Sequence, residues 1–372
     1  MRIQQIEIYT LNVPYINPLK FAIGTITGAE NVVIKITTTT GLIGWGEASP
    51  CASILGDTQQ TAYQAAQNLA PLLIGKDPLA IEARMSEINR FIAGESSLRS
   101  AFDIALYDLA AKAAEMPLYQ FLGGTEPADT RPLRTDLTIG IQDTVEQTLA
   151  LAEGILARNF NAIKMKVGRP GLADVGHVAA VRKLAGPDIQ LKMDSNQGWD
   201  YPTAVANINA MKSLNLEYSE QPLAAGDTDN LARLRDKVEL PICVDESVFD
   251  EKDALKLVRA GAADYLNIKL AKSGGLHTAL KINAVAEAAG CKCMIGCFGE
   301  SRLALGAAAH LAAARPNIHF LDLDSAYGFK TDPVIGGMRY DEQVGGLMHL
   351  PDAPGHGAVF DEAALENRVV IR

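Results

Sequence analysis

Hydrophobic and polar positions alternate along Ala162–Val167, which reads Ala-Ile-Lys-Met-Lys-Val. On a β-strand that alternation sends Lys164 and Lys166 to one face and Ile163, Met165 and Val167 to the other. Two amines on one face of an apolar strand are unfavourable unless opposite charge meets them. Three later strand patterns, Gln190–Asp194, Leu216–Glu220 and Ile242–Asp245, each end in a carboxylate. A fourth, Tyr265–Lys269, ends in another lysine. The pattern predicts that these charges meet at one mouth, around a metal.

The first third of the chain reads as α+β. Ile3–Val13 is a strand pattern, and Asn31–Thr37 and Leu42–Glu47 flank Thr38-Thr39-Thr40-Gly41 as a hairpin. Between them Tyr15–Glu30, with Gly24 and Gly28 and little periodicity, predicts a flexible loop of the kind that covers a site. Asp57 with Gln60 resembles a capping box opening a helix over Thr58–Leu73. Asp77-Pro78 predicts a cap and first turn of the next helix, and Ser96–Glu115 carries a helical apolar period. Gly123-Gly124 and the stretch to Pro132 read as a boundary.

Beyond Pro132 short apolar strands alternate with helical stretches, as in a parallel sheet covered by helices. The strands are Leu133–Ile139, Ala162–Val167, Gln190–Asp194, Leu216–Glu220, Ile242–Asp245, Tyr265–Lys269, Lys292–Gly296 and His319–Asp324, with seven helical patterns between them. Asp194 to Glu220 is 26 positions, on to Asp245 25, and on to Lys269 24. That period predicts an α/β fold with a TIM-like barrel. A doubly wound open sheet lacks its Gly-x-Gly-x-x-Gly turn here. Loops, not an eighth helix, follow the last strand, and Met348–Arg372 can return to the first domain.

Of the 372 residues 48% are hydrophobic, enough for a large core and suited to two domains. A net charge of −10 argues against nucleic acid or an anionic membrane as partner. The start has no basic-then-apolar signal and no stretch approaches ~20 uninterrupted apolar residues, so a soluble, cytoplasmic protein is expected. The five cysteines, Cys51, Cys243, Cys291, Cys293 and Cys297, fit neither a disulfide framework nor a structural zinc site.

Active-site residues of a TIM barrel gather at the C-terminal ends of its strands, where these charges fall. Asp194, Glu220 and Asp245 suit a hard dication with oxygen ligands, and Mg²⁺ fits best. Asn196 shares a face with Asp194, Asn267 with Lys269, and Asp322 with Asp324. No histidine or cysteine sits at the three carboxylate ends, which disfavours zinc, and all six histidines read as structural. Lysine is then the candidate base. Its ordinary pKa is about 10.4, and a nearby dication and second ammonium lower it. Lys166 on the second strand and Lys269 on the sixth lie across the barrel, so one removes a proton from a substrate carbon and the other returns one. The metal would bind the adjacent carboxylate and stabilise the enediolate formed.

The chain at this point resembles the enolase superfamily, in its muconate-lactonising branch, over nearly its whole length. A lysine base beside Mg²⁺ is that superfamily's known pattern. The resemblance is carried by Gly44-Trp45-Gly46-Glu47, Lys164-Met165-Lys166, Asp194-Ser195-Asn196-Gln197-Gly198-Trp199, Glu220-Gln221-Pro222, Asp245-Glu246-Ser247 and Asn267-Ile268-Lys269. It implies a (β/α)7β barrel over residues 126–325 with an enolase-like α+β capping domain over 1–125, to which 326–372 return. It implies Asp194, Glu220 and Asp245 as Mg²⁺ ligands, with Asn196 and Glu246 beside them. Lys166 and Lys269 become the two acid/bases, and Lys164 neutralises the substrate carboxylate. Asp322-Leu323-Asp324 looks like the Asp-x-Asp motif of dipeptide epimerases, which grips the free ammonium of the N-terminal residue. Thr135 then helps place the carboxylate end, and Cys297 falls where the family places part of the substrate pocket. Ala-Glu epimerases of murein recycling carry an arginine at the position of Gly24. That departure, with Phe21, Ile23 and Ile26 nearby, implies a neutral or apolar second side chain.

The expected protein is therefore an isomerase: a Mg²⁺-dependent dipeptide epimerase inverting the α-carbon of the second residue, in Ala-Xaa dipeptides with neutral or apolar Xaa, and self-associating as the family commonly does. The alternatives are an L-Ala-D/L-Glu epimerase, an o-succinylbenzoate synthase or cycloisomerase on the same scaffold, a Schiff-base aldolase, and a non-catalytic binding module.

Overall fold

The computed structural model describes residues 1–125 and 131–372. The expected boundary therefore lies partly outside the described residues, at 126–130. Two sheets organise the rest. The first is four-stranded and antiparallel, built from β1 (Ile3–Phe21), β2 (Gly24–Thr38), β3 (Ile43–Ala48) and, from the far end of the chain, β12 (Glu366–Ile371), which pairs with β1. Helices Gln59–Leu69, Ile81–Phe91 and Ser96–Ala113 accompany it. Gly44 and Gly46 permit the closest approach: a Cβ on Gly46 would lie 1.8 Å from the carbonyl oxygen of Ala101 on the third helix.

Three local expectations need correction. Tyr15–Glu30 is no loop: β1 and β2 pair almost to their tip, from Ile3 with Thr38 to Phe21 with Gly24, with a break between Pro14 and Leu19. The prolines and glycines hide the alternation that the ladder imposes. The first helix is capped by Thr58 with Thr61, while Asp57 accepts from the backbone N–H and the hydroxyl of Ser97. Asp77 accepts from Leu79 N, and the second helix begins only at Ile81, with Ala80 as its cap.

The second sheet holds eight parallel strands: β4 (Leu137–Ile139), β5 (Ala162–Lys166), β6 (Gln190–Asp194), β7 (Leu216–Glu220), β8 (Ile242–Val244), β9 (Tyr265–Lys269), β10 (Lys292–Gly296) and β11 (Ile318–Leu321). The first expected strand is interrupted, since Leu133–Arg134 pairs outside the barrel with Leu347–Met348. Helices separate successive strands, and side-chain caps start several of them: Thr144, Asp200, Asp227, Asp250 and Ser301 each accept from the first turn. No backbone ladder joins β4 to β11. The edges meet instead where Thr138 N donates to Asp324 Oδ2 at 2.8 Å and Leu323 N donates to Thr135 Oγ1 at 2.8 Å. The curled sheet is thus a (β/α)7β barrel capped by an α+β layer. Buried Glu47 on β3 ties the two together, accepting from Asn31 Nδ2 at 2.7 Å and from Ser301 N and Oγ at 3.0 and 2.6 Å. None of the described helices is long and apolar enough to cross a membrane.

Candidate active site

Period-2 alternation points Lys164, Lys166, Lys192 and Asp194 into the barrel. Lys164 is fully buried, its Nζ 2.6 Å from Asp322 Oδ2, 2.8 Å from Glu220 Oε2 and 3.1 Å from Asp194 Oδ2. Burial works against that charge, but Asp322, Glu220 and Asp194 raise its pKa well above the lysine range. Lys166 Nζ lies 2.6 Å from Asp194 Oδ2, and Lys269 Nζ lies 2.8 Å from Asp245 Oδ2 and 4.4 Å from the centre of the Phe298 ring. The strands carrying Lys166 and Lys269 are four apart among eight, which sets them on opposite sides of the barrel.

Burial also opposes the charge on Lys269, yet Asp245 raises its pKa above the ordinary value. The immediate neighbours of the amine are carboxylates, Asp245 above all, while Lys164 acts in the lowering direction. The same contacts, against burial, depress Asp245 through Lys269 and Lys272, and Asp194 through Lys166 and Lys164. Glu220 is raised by burial and by Asp194. Burial, with Asp245 and Asp194, pushes Glu246 up to about 8.

The turns after β6 and β7 carry Asn196 (φ 40°), Gln197 (φ 66°) and Gln221 (φ 33°) in left-handed backbone. Side chains offset that strain. Gln221 Oε1 accepts from Asp245 N at 2.9 Å, Asn196 N donates to Asp194 Oδ1 at 2.9 Å, and Asn196 Nδ2 donates to Glu246 Oε1 at 3.3 Å. Asn267 Nδ2 donates to Glu220 Oε1 at 2.7 Å.

The donor set fits a hard dication. Glu220 Oε2 and Asp245 Oδ2 are buried without a hydrogen bond, although an ammonium lies 2.8 Å from each. All the candidate ligands are oxygens. The tightest carboxylate group among the described residues is a different one, however: Asp136, Asp322 and Asp324, each with an oxygen within 4.8 Å of the others.

Above the charges lies a cavity of about 450 Å³, lined by the β1–β2 tip and by Lys166, Lys269, Asn196, Cys297 and Phe298. Phe21, Gly24 and Ile26 face it, and a Cβ on Gly24 would meet only Phe21, at 3.8 Å. Lys20 is turned away, paired with exposed Asp143 at 3.2 Å. Thr135 is fully buried below, its hydroxyl donating to Asp136 O and accepting from Leu323 N. The structure gives it a hold on the Asp322–Asp324 turn rather than a place on the cavity wall. None of the six histidines lines the cavity.

Sequence reasoning missed Lys272, whose Nζ bonds Asp245 Oδ1, Asp245 O and Asn267 O. It also missed Asp136 and Lys192, paired at 2.8 Å and both buried. Lys192 stands two before Asp194, so the strand alternation was a usable signal.

Residues 5–123 match the mandelate racemase / muconate lactonizing enzyme N-terminal domain and residues 147–364 the enolase C-terminal domain-like family. The chain is 39% identical to an L-Ala-D/L-Glu epimerase of Bacillus subtilis, over 96% of this chain and 97% of that protein. It is 37% identical to a hydrophobic dipeptide epimerase of Enterococcus faecalis, over 96% and 99%. A crystal structure of a Cytophaga hutchinsonii dipeptide epimerase, complexed with Mg and the dipeptide D-Ala-L-Val, superposes with a TM-score of 0.96 at 37% identity, covering 100% of both chains. With both domains matched and relatives of this similarity along its length, the chain is an isomerase-type member of the mandelate racemase / muconate lactonizing enzyme family, within the enolase superfamily.

Proposed function

We propose that the protein is a Mg²⁺-dependent dipeptide epimerase that inverts the α-carbon of the second residue of Ala-Xaa dipeptides with neutral or apolar Xaa. The observation that carries this is the pair of lysines from opposite strands opening onto one cavity, each ion-paired with a carboxylate of the same acidic centre. Lys166 and Lys269 take and return the proton on opposite faces of the carbon. Asp194, Glu220 and Asp245 would hold the cation. When bound, Mg²⁺ supplies positive charge beside the substrate carboxylate as the proton leaves, and it takes over the carboxylate charge that otherwise keeps Lys269 protonated. Charge balance favours a bound cation: with Glu246 protonated, Asp136, Asp194, Glu220, Asp245, Asp322 and Asp324 face Lys164, Lys166, Lys192, Lys269 and Lys272, six carboxylates against five ammoniums. A zwitterionic dipeptide adds no net charge.

Asp322 and Asp324 hold the substrate ammonium. Phe21, Ile26 and Phe298 around uncharged Gly24 receive the second side chain, and the two lysines are the only cations on that wall. A glutamate side chain there lacks a bidentate partner. In heavy water with Mg²⁺, Ala-Leu and Ala-Phe should exchange the α-hydrogen of the second residue and epimerise, at a kcat/KM about tenfold or more above Ala-Glu. EDTA should abolish the exchange and Mg²⁺ restore it. NMR and mass spectrometry follow both. Exchange that survives EDTA, or no exchange in any dipeptide, overturns the reading.

The grip on the ammonium also predicts a pH effect. Burial and the neighbouring Asp322 raise Asp324 to about 6. Only its ionised form attracts an ammonium, so binding weakens as pH falls through about 6 rather than through the ordinary aspartate value near 3.9. The dipeptide of alanine and α-aminoisobutyrate (Ala-Aib) has no α-hydrogen on its second residue, so its dissociation constant is measurable by calorimetry on the Mg²⁺-loaded protein. That constant should rise about tenfold per pH unit below about 6 in the wild type. In Asp324→Asn it should be larger throughout and should lose that dependence. A flat wild-type profile to pH 5 contradicts the assignment.

A further inference from the structure

We infer that Asp136 is a third carboxylate of the ammonium site, a substrate-binding residue that completes the coordination begun by Asp322 and Asp324. The inference rests on the dipeptide reading above. Asp136, Asp322 and Asp324 each bring an oxygen within 4.8 Å of the other two. One oxygen of each is already engaged: Asp136 Oδ2 by Lys192 Nζ at 2.8 Å, Asp322 Oδ2 by Lys164 Nζ at 2.6 Å, and Asp324 Oδ2 by Thr138 N at 2.8 Å. Asp136 Oδ1 and Asp322 Oδ1 are left buried without any hydrogen bond, on side chains almost wholly removed from solvent. Asp324 Oδ1 has only the Cys297 thiol, at 3.9 Å.

The shape of this group selects its guest. An oxygen of each acid lies within 4.8 Å of the other two, close enough for one small cationic group to face all three. A primary ammonium carries three N–H bonds and one carbon, so three acceptors satisfy it and its carbon leaves on the fourth side. Asp322 and Asp324 alone leave one N–H unmet. The charge selects in the same sense. Three carboxylates meet two ammoniums, Lys192 and a Lys164 that Glu220 and Asp194 share, so the group attracts a further positive charge. Lys192, which holds Asp136, is itself placed by Leu321 O at 3.4 Å and by the Phe320 ring, whose centre is 5.1 Å away.

The test compares two ligands that cannot lose an α-proton, Ala-Aib and its des-amino analogue propionyl-Aib, by calorimetry on the Mg²⁺-loaded protein. In Asp136→Asn, Ala-Aib should bind about 10- to 100-fold more weakly, the loss of one charge-assisted hydrogen bond, while propionyl-Aib is unchanged. With reactive Ala-Leu the same variant should raise KM more than it lowers kcat. Asp136→Asn leaves Lys192 buried without its partner. The double variant Asp136→Asn/Lys192→Met removes both charges, and it should give the same selective loss even where the single variant folds poorly. Equal weakening of both ligands, or none, in the double variant overturns the inference while the dipeptide reading stands. Failure of the wild type to bind Ala-Aib removes both. Two Mn²⁺ ions per chain by paramagnetic resonance, falling to one in the double variant, would make the triad a metal site and overturn the ammonium assignment.

Discussion

Replacing either Lys166 or Lys269 by methionine should lower dipeptide epimerisation by about a thousandfold or more, the scale of losing a positioned acid or base. The two losses should not be equivalent. Each amine reaches the cavity from its own side of the barrel, on β5 and β9, and each is anchored by its own carboxylate, Asp194 at 2.6 Å and Asp245 at 2.8 Å. With one lysine gone, the other can still take a proton from the stereoisomer that faces it and return solvent deuterium to the same side. Each variant should therefore exchange the α-hydrogen of one stereoisomer only, without inversion, and the two variants should serve opposite stereoisomers. Chiral chromatography of dipeptides recovered from heavy water, read with mass spectrometry, tests this directly. A variant that exchanges both stereoisomers assigns the chemistry to a single base and removes the role given to the missing lysine. Among the described residues Phe298 stacks on Lys269, its ring centre 4.4 Å from the amine, and no ring does so on Lys166, so the two bases work in different surroundings.

The barrel was legible because burial on both faces makes each parallel strand a short apolar run, and the charged residues interrupt those runs at a constant period. Lys164, Lys166, Asp194, Glu220, Asp245 and Lys269 follow from that rhythm, and the structure brings all six together. The β1–β2 tip was not legible. Its strand geometry comes from cross-strand pairing, Leu19 with Ile26 and Lys20 with Thr25, which local glycines and prolines conceal. The partner of Lys192 was hidden for another reason: Asp136 is 56 positions away, and it ends no strand run as Asp194, Glu220 and Asp245 do. Thr135 was legible only by resemblance: its hydroxyl accepts from Leu323 N at the barrel edge, a contact between residues 188 positions apart.

Lys164→Met should destabilise the protein by about 3–5 kcal/mol at neutral pH as well as abolish turnover, because it leaves buried carboxylates without their shared counter-charge. Lys164 is fully buried and stands within 3.1 Å of an oxygen of each of Asp322, Glu220 and Asp194. Asp194 keeps Lys166 and Glu220 keeps Asn267, so the uncompensated charge falls mainly on Asp322, whose ionised form Lys164 holds against burial. A second substitution, Asp322→Asn, should therefore recover more than half of the lost stability without recovering activity, since the ammonium grip is then broken. Denaturant titrations of the wild type, both single variants and the double variant isolate this coupling. Millimolar Mg²⁺ should stabilise Lys164→Met more than it stabilises the wild type, as the dication replaces part of the missing positive charge at Glu220 and Asp194. A Lys164→Met protein within about 0.5 kcal/mol of wild type, the range of a neutral surface change, would mean that the acidic centre does not depend on this amine for its charge balance.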